Sequence, residues 1–153
     1  MTPQEEQSSI TVAQKIFESI TSACPHLTTH IDEHPDVHRN DMKLTLPKQE
    51  HLEFEIGIIF AKNELTLVTS DFHWHYSCTD AEEQSWCIET VVLLVTNQAR
   101  LKETLRGSRV TKSELQTLQN GEWITVAATG AMPLPSFKKK TTRYIQNTSN
   151  QSI

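Results

Sequence analysis

Four side chains that could bind a metal ion lie at alternate positions in the middle of the chain. His51 and Glu53 are two residues apart, and so are His73 and His75. Side chains two residues apart on a β-strand point to the same face, so either pair could grip one ion. Imidazole and carboxylate are ligands of Zn²⁺ and other first-row divalent cations. An open coordination position on such an ion would activate water for hydrolysis.

Two predicted strands, 51–60 and 65–76, must position these side chains. Apolar residues alternate with other residues along the first strand, as in a half-buried strand, and Lys62-Asn63 suits a two-residue hairpin turn. Along the second strand the apolar residues move from odd to even positions, and a one-residue bulge near 69–71 would return them to the buried face. The predicted facing pairs are Phe60 with Leu65 and Ile58 with Leu67, and the residues returned by the bulge are Phe72, Trp74 and Tyr76.

This register places His51 near His75 and Glu53 near His73 on the solvent-facing side of the sheet. It supports one hypothesis for function, a metal-dependent hydrolase-type enzyme that holds Zn²⁺ or another divalent transition metal there. The alternative is that all four are ordinary exposed polar residues and that the protein has no cofactor. No HExxH or CxxC spacing in the chain supports a metal.

A second candidate site consists of cations at alternate positions, Arg100, Lys102 and Arg106. A two-residue loop after them would put these cations on the buried face with Leu115. A three-residue loop at 107–109 buries the intervening leucines instead. Because burying three cations costs far more free energy, we predict the three-residue loop and an exposed row of cations.

Two later residues join this face, Lys112 on the next strand and Trp123 just beyond the Asn120-Gly121 hairpin turn. Guanidinium forks beside an aromatic platform suit phosphate, carboxylate or an acidic protein segment. The alternative is a solvated sheet face that Glu114 and Glu122 partly neutralise. In the same register Glu103 points to the core, where a carboxylate can serve as a general acid or base; more commonly such a carboxylate is paired or lies at the sheet margin.

Helix-start signals frame the strands. Thr2-Pro3-Gln4-Glu5 and Thr79-Asp80-Ala81-Glu82 each have the pattern of a capping box, and they predict helices at about 3–23 and 80–96, the second ending near Asn97. The predicted class is α+β, an antiparallel β-sheet with both helices packed on one face, in the order α-β-β-(β-β)-α-β-β-β.

The predicted domain organisation is simple. Residues 1–135 are expected to form a single α+β domain, in which the polar stretch 26–50 contributes short strands near 27–32 and 41–46. Residues 136–153 are expected to form a basic, polar C-terminal tail that is partly disordered.

Composition and charge narrow the function classes. The chain has 153 residues, 37% of them hydrophobic and 22% charged, as in a single globular domain. Residues 1–99 carry 5 Lys and Arg against 16 Asp and Glu, a net −11, whereas residues 100–153 carry 9 against 3, a net +6. This polarity argues against a general nucleic-acid binder and allows a local basic surface. Alternatively, the two regions neutralise each other within the fold or across a dimer.

A cytoplasmic location is predicted from the lack of a signal-peptide or membrane-spanning pattern and from the spacing of the cysteines. The N-terminus lacks a signal-peptide pattern, and the longest wholly apolar run, Val91–Val95, is far too short to cross a membrane. The three cysteines have no paired spacing, which suits free thiols in the cytoplasm. No nucleophile elbow or glycine-rich phosphate loop occurs, so we predict no catalytic residue.

Short motifs between residues 46 and 129 resemble small uncharacterised bacterial proteins. The motifs are Asn63-Glu64-Leu65, Phe72 with Trp74, Arg106-Gly107, Lys112-Ser-Glu-Leu-Gln116 and Gly121-Glu-Trp123. The resemblance implies a bacterial α+β domain and brings no activity or functional residue with it. The order of elements is also similar to that of small, acidic, dimeric secretion chaperones.

The first hypothesis for function is a non-enzymatic binding or adaptor protein. Its exposed sheet face would bind an acidic protein segment or a small anion, with no membrane or nucleic acid as partner, and the protein would form a homodimer. The residues predicted to bind are Arg100, Lys102, Arg106, Lys112 and Trp123.

Overall fold

Two helices and two antiparallel sheets make up the described part of the chain, residues 2–33, 41–130 and 138–148 of a computed structural model. The predicted α+β class is confirmed, but the strands form a five-stranded sheet in the order β1-β2-β3-β4-β5 and a four-stranded sheet in the order β8-β7-β6-β9. In chain order the elements are α1 (Pro3–Ala23), β1 (His30–Glu33), β2 (Met42–Leu46), β3 (Ile56–Ala61), β4 (Glu64–Thr69), β5 (Phe72–Ser77), α2 (Ala81–Val95), β6 (Ala99–Arg106), β7 (Arg109–Gln119), β8 (Glu122–Gly130) and β9 (Lys140–Ile145).

Each helix begins at a side-chain cap. At α1 the capping box predicted from Thr2 and Glu5 is present. At α2 the predicted Thr79 box is wrong, because Asp80 is the N-cap and its carboxylate accepts from two backbone N–H groups at 2.9 and 3.1 Å. A carboxylate at a helix N-terminus also interacts favourably with the helix dipole. The Thr79 hydroxyl instead lies 2.9 Å from that of Ser77.

Both helices and the inner faces of both sheets share one hydrophobic cluster. Alternating apolar residues supply the inner face of each strand, and one stripe of each helix packs into the same core. The helix residues in this cluster are Ala13, Ile16, Phe17 and Ile20 from α1 and Cys87, Val91, Leu94 and Val95 from α2.

The predicted first hairpin is confirmed, and the strand beyond it differs from the prediction. The turn Lys62–Asn63 has φ of +50° and +64°, and β3 pairs with β4 as predicted, Phe60 opposite Leu65. A second turn follows Thr69, so β5 folds back along the other side of β4 with Thr69 opposite Phe72 and no bulge. A two-residue turn by itself moves the buried positions from odd to even, which explains the parity change that suggested a bulge.

In the four-stranded sheet the faces are as predicted, although the loop is not. Arg106 pairs with Arg109, so the loop has two residues rather than three. A bulge at Thr111 then shifts the register, because Leu105 pairs with Val110 and Thr104 with Lys112. The bulge has the same effect on parity as a third loop residue, and the leucines rather than the cations are buried.

The C-terminal segment contributes a strand where a partly disordered tail was predicted. Strand β9 pairs antiparallel with the free edge of β6. Asn147 is fully buried, and its amide donates to the carbonyls of His51 and Val95 at 2.8 and 2.7 Å. Residues 138–148 are therefore ordered against the fold, because the edge of β6 offers backbone groups that need partners. The remainder of the predicted tail, 136–137 and 149–153, lies outside the described residues.

Candidate functional site

The four residues predicted to bind a metal do not form one group. His73 and His75 lie side by side on the exposed face of β5, with ring centroids 5.7 Å apart. His51 and Glu53 lie before β3, next to the C-terminal segment, where Thr148 donates a hydrogen bond to the Glu53 carboxylate. The turn after Thr69 separates the two pairs, because it sends β5 along β4 instead of along the segment before β3.

Polar groups of the neighbouring strand contact one member of the exposed histidine pair, His75. His75 Nδ1 lies 2.7 Å from the Glu64 carboxylate and 3.0 Å from the Thr66 hydroxyl. Across the described ranges of the chain, no three His, Cys, Asp or Glu side chains are grouped so that they could hold a metal ion. The geometry therefore gives the hydrolase hypothesis no metal site.

The predicted cationic residues do come together on the outer face of the four-stranded sheet. Lys102 and Arg106 on β6 and Lys112 on β7 line an open cavity of about 700 Å³ with Lys140 on β9. The one carboxylate among the described lining residues is Glu114. We call this surface the basic face and define it by Arg100, Lys102, Arg106, Lys112, Glu114, Trp123, Lys140 and Tyr144.

Arg100 is held at one end of the basic face. Its guanidinium carbon lies 4.3 Å from the ring centroid of Trp123 and 4.0 Å from that of Tyr144. Its Nε donates to the Gln116 side-chain carbonyl at 2.9 Å. Two cation–π contacts and one hydrogen bond fix the plane of the guanidinium.

Glu114 neutralises only part of the positive charge of the basic face. It lies opposite Lys102 across the β6–β7 pair, accepts from the Thr125 hydroxyl at 3.3 Å and pairs with Lys112 Nζ at 3.3 Å. Because one carboxylate serves four cavity cations, the basic face keeps a surplus of positive charge. Glu122, the other predicted neutralising residue, lies at the hairpin end opposite Gln119 and does not line the cavity.

Like charges face each other at the other end of the basic face. Arg106 on β6 lies directly opposite Lys140 on β9 and opposite Arg109 on β7. Like charges at directly opposed positions of an antiparallel pair are destabilising, by up to about 1 kcal/mol. The fold therefore carries a charge arrangement that its own stability does not require.

Two residues of the basic face, Lys140 and Tyr144, were not predicted from the sequence, because they belong to β9. Residues 140–145 show no alternation of apolar and polar residues and so carry no strand signal. The basic run that begins at Lys138 had suggested a solvated tail instead.

An ion pair on the inner side of the four-stranded sheet joins the neighbouring strands β6 and β9. Glu103 is fully buried, and Arg143 Nε donates to its carboxylate at 2.9 Å. The Ser70 hydroxyl, from the turn between β4 and β5, donates to the same carboxylate at 3.3 Å. Glu103 thus points to the core as predicted, where it pairs with Arg143 of its own sheet and accepts a hydrogen bond from the other sheet.

The cysteines are unsuited to nucleophilic chemistry. All three are free and buried. Burial raises the pKa of Cys87 to about 12 and that of Cys78 to about 11. Both groups are therefore neutral thiols near pH 7, while the thiolate is the form that attacks an electrophile.

An apolar groove lies apart from the basic face. It has a volume of about 470 Å³ between α2, β5 and the β7–β8 hairpin, and its walls include Trp74, Trp86 and Val126. Trp86 and Val126 are 56% and 51% exposed.

Comparisons with known proteins found no match to a family model, to a curated protein or to a solved structure. The resemblance of residues 46–129 to small bacterial proteins thus stays a prediction. Within the described ranges, no helix is both long enough and apolar enough to pass through a membrane.

Proposed function

We propose that this protein is a non-enzymatic binding protein and that its basic face recognises an acidic protein segment. The observation that carries this proposal is the surplus of cations around the open cavity, where Lys102, Arg106, Lys112 and Lys140 meet the single carboxylate of Glu114. Lysine and arginine side chains on a solvated face attract carboxylates, and a surplus of one sign steers an oppositely charged partner towards it.

The extent of the cation row favours a protein segment over a small anion. Arg100 and Arg106 are six residues apart on one strand, which corresponds to about 20 Å at 3.3–3.4 Å per residue. A phosphate-sized anion reaches only neighbouring members of such a row. A polypeptide segment can contact all of them, and the aromatic rings beside Arg100 add apolar contact area.

The proposed partner and location follow from charge and cysteine state. The whole chain has a net charge of −5, which opposes general binding to nucleic acid and favours a specific acidic partner at one basic face. Free cysteines are usual in a reducing compartment, and we propose the cytoplasm as the location.

Binding of a fluorescent deca-glutamate peptide, followed by anisotropy at 50 mM and 500 mM NaCl, tests the proposal. We expect saturable binding at 50 mM NaCl that weakens at 500 mM, because exposed ion pairs are screened within about 10 Å at 0.1 M salt. The double charge reversal Lys102→Glu with Arg106→Glu should weaken binding by at least about tenfold, the equivalent of 1.4 kcal/mol.

The matched control is the paired reversal Lys15→Glu with Lys48→Glu, the same total charge change at two exposed positions outside the basic face. We expect it to change binding by less than about twofold, since surface charges far from a site contribute little. Equal weakening by the control and the double variant, or no binding at 50 mM NaCl, would contradict the proposal. Displacement of the peptide by an equal concentration of inorganic phosphate would identify a small-anion site instead.

A further inference from the structure

We infer that the acidic segment binds in an extended conformation along β6 and carries its carboxylates at alternate positions. This inference rests on the proposed function and adds the conformation and sequence pattern of the partner. The outward positions of β6 are occupied by Arg100, Lys102, Thr104 and Arg106. They repeat about every 6.6–6.8 Å, which is twice the rise of a strand residue.

An extended segment has the same repeat on each of its own faces. Carboxylates at positions 1 and 3 of the segment therefore match Arg100 and Lys102, and a carboxylate at position 7 matches Arg106. Position 5 falls at Thr104, which lies opposite Thr142 on β9, so a neutral polar residue suits that position. In a helical segment, carboxylates at alternate positions would lie only about 3 Å apart along the axis and on different faces, so this sequence pattern matches the row only in an extended segment.

Arg100 sets the register of the bound segment. Its plane is fixed by Trp123, Tyr144 and Gln116. The two terminal nitrogens of its guanidinium have no hydrogen-bond or ion-pair partner in the part of the chain that the structure describes. A planar fork of this kind binds a carboxylate through two parallel hydrogen bonds. Because its orientation is already fixed, less side-chain entropy is lost on binding.

The far end of the row is adapted to a less specific contact. Arg106, Lys112 and Lys140 all line the cavity, so several cations offer alternative partners for one carboxylate. The geometry therefore assigns specificity to the Arg100 end, and general attraction to the Arg106 end.

Two fluorescent peptides of identical composition test the inference. One carries Glu at positions 1, 3 and 7 of a Thr and Gly background, and the other carries three contiguous Glu residues in the same background. We expect the first to bind the wild-type protein about tenfold more tightly, because one more ion pair of about 1.4 kcal/mol can form. The variant Arg100→Lys keeps the charge but loses the fork that fixes position 1. The alternating peptide should therefore lose the register that brings position 7 to Arg106, and with it most of the preference. The contiguous peptide can still pair with Arg106, Lys112 and Lys140, so its binding should change little.

The control for that variant is Arg109→Lys. Arg109 lies opposite Arg106 on β7, far from Arg100, and is not among the residues that line the cavity, so this variant should keep the preference. Thermal unfolding establishes that both variants are folded. Equal affinity of the wild-type protein for the two peptides, or an unchanged preference in Arg100→Lys, would overturn the inference and leave the proposed function intact. Failure of both peptides and of deca-glutamate to bind at 50 mM NaCl would overturn the inference and the proposed function together.

Discussion

The outer faces of the two sheets differ in how their charged side chains are arranged across neighbouring strands. On the five-stranded sheet Lys43 lies opposite Asp32, and His75 contacts Glu64 on the adjacent strand. On the four-stranded sheet Arg106 lies between Lys140 and Arg109. Both sheets bury an apolar inner face, so core packing does not restrict which residues lie on the outer face of either sheet. Only the outer face of the four-stranded sheet concentrates charge of one sign.

This difference identifies outward-facing positions at which the stability of the fold does not determine the charge of the residue. Opposite charges on neighbouring strands contribute a few tenths of a kcal/mol to stability, and like charges reduce it by a similar amount. A repeated like-charge arrangement is thus a small, persistent cost to stability. Such costs are typical of functional sites, which is why we place the function on the basic face rather than on the histidine pair.

The largest expected effect concerns Glu103, which pairs with Arg143 within the four-stranded sheet and accepts a hydrogen bond from Ser70 of the other sheet. Glu103→Ala removes these hydrogen bonds but leaves Arg143 half-exposed and near Asp71, so we expect it to lower the free energy of unfolding by about 2 kcal/mol. Urea denaturation followed by circular dichroism measures this loss. The control is Glu122→Ala, an exposed carboxylate of the same sheet, which should cost less than about 0.5 kcal/mol. A loss below about 1 kcal/mol for Glu103→Ala would show that the fold does not depend on these contacts of Glu103.

Charge reversals on the two sheets should change the free energy of unfolding by smaller amounts and in opposite directions, which tests the comparison between the sheets. Lys140→Glu places unlike charges opposite Arg106, so it should raise the free energy of unfolding by about 0.5 kcal/mol while weakening peptide binding. Lys43→Glu places like charges opposite Asp32 and should lower the free energy of unfolding by a similar amount. Both changes should shrink at 0.5 M NaCl because of screening. Two changes of the same sign would break the comparison.

The smallest expected effect belongs to the exposed histidine pair. His75→Ala removes contacts with Glu64 and Thr66 at a half-exposed position, and we expect a loss of no more than about 0.5 kcal/mol. Deca-glutamate binding should be unchanged. Loss of binding in this variant would move the site to the five-stranded sheet.

Local chemistry made part of the fold predictable from the sequence. Lys62-Asn63 and Asn120-Gly121 adopt positive φ at both positions, as two-residue hairpin turns require, and the register at Lys62-Asn63 was predicted correctly. The capping box at Thr2 depends only on residues within one turn of helix. These features need no information from distant parts of the chain.

Features that depend on non-local pairing could not be predicted in the same way. A bulge at Thr111 and a three-residue loop have the same effect on alternation, so the sequence pattern does not distinguish them. The turn after Thr69 was mistaken for a bulge for the same reason, and that error brought the four metal-binding candidates together. Strand β9 forms because the edge of β6 is free, a fact that residues 140–145 do not encode.

The part of the basic face that was predictable is the part set by the free-energy cost of burying charge. Arg100, Lys102 and Arg106 had to face outward because burying three cations is too costly. Tyr144 and Lys140 reach the same face only through the pairing of β9 with β6. The contact of Arg100 with the Tyr144 ring therefore could not be predicted from the pattern of either strand alone.

Mapping of backbone amide chemical shifts by NMR during titration with the alternating-Glu peptide tests the central claim most directly. We predict that the perturbed amides cluster in residues 100–106, 112–116 and 140–144, while residues 64–68 and 73–77 of the five-stranded sheet keep their shifts. Perturbations confined to the five-stranded sheet, or to the apolar groove around Trp86, would contradict the account.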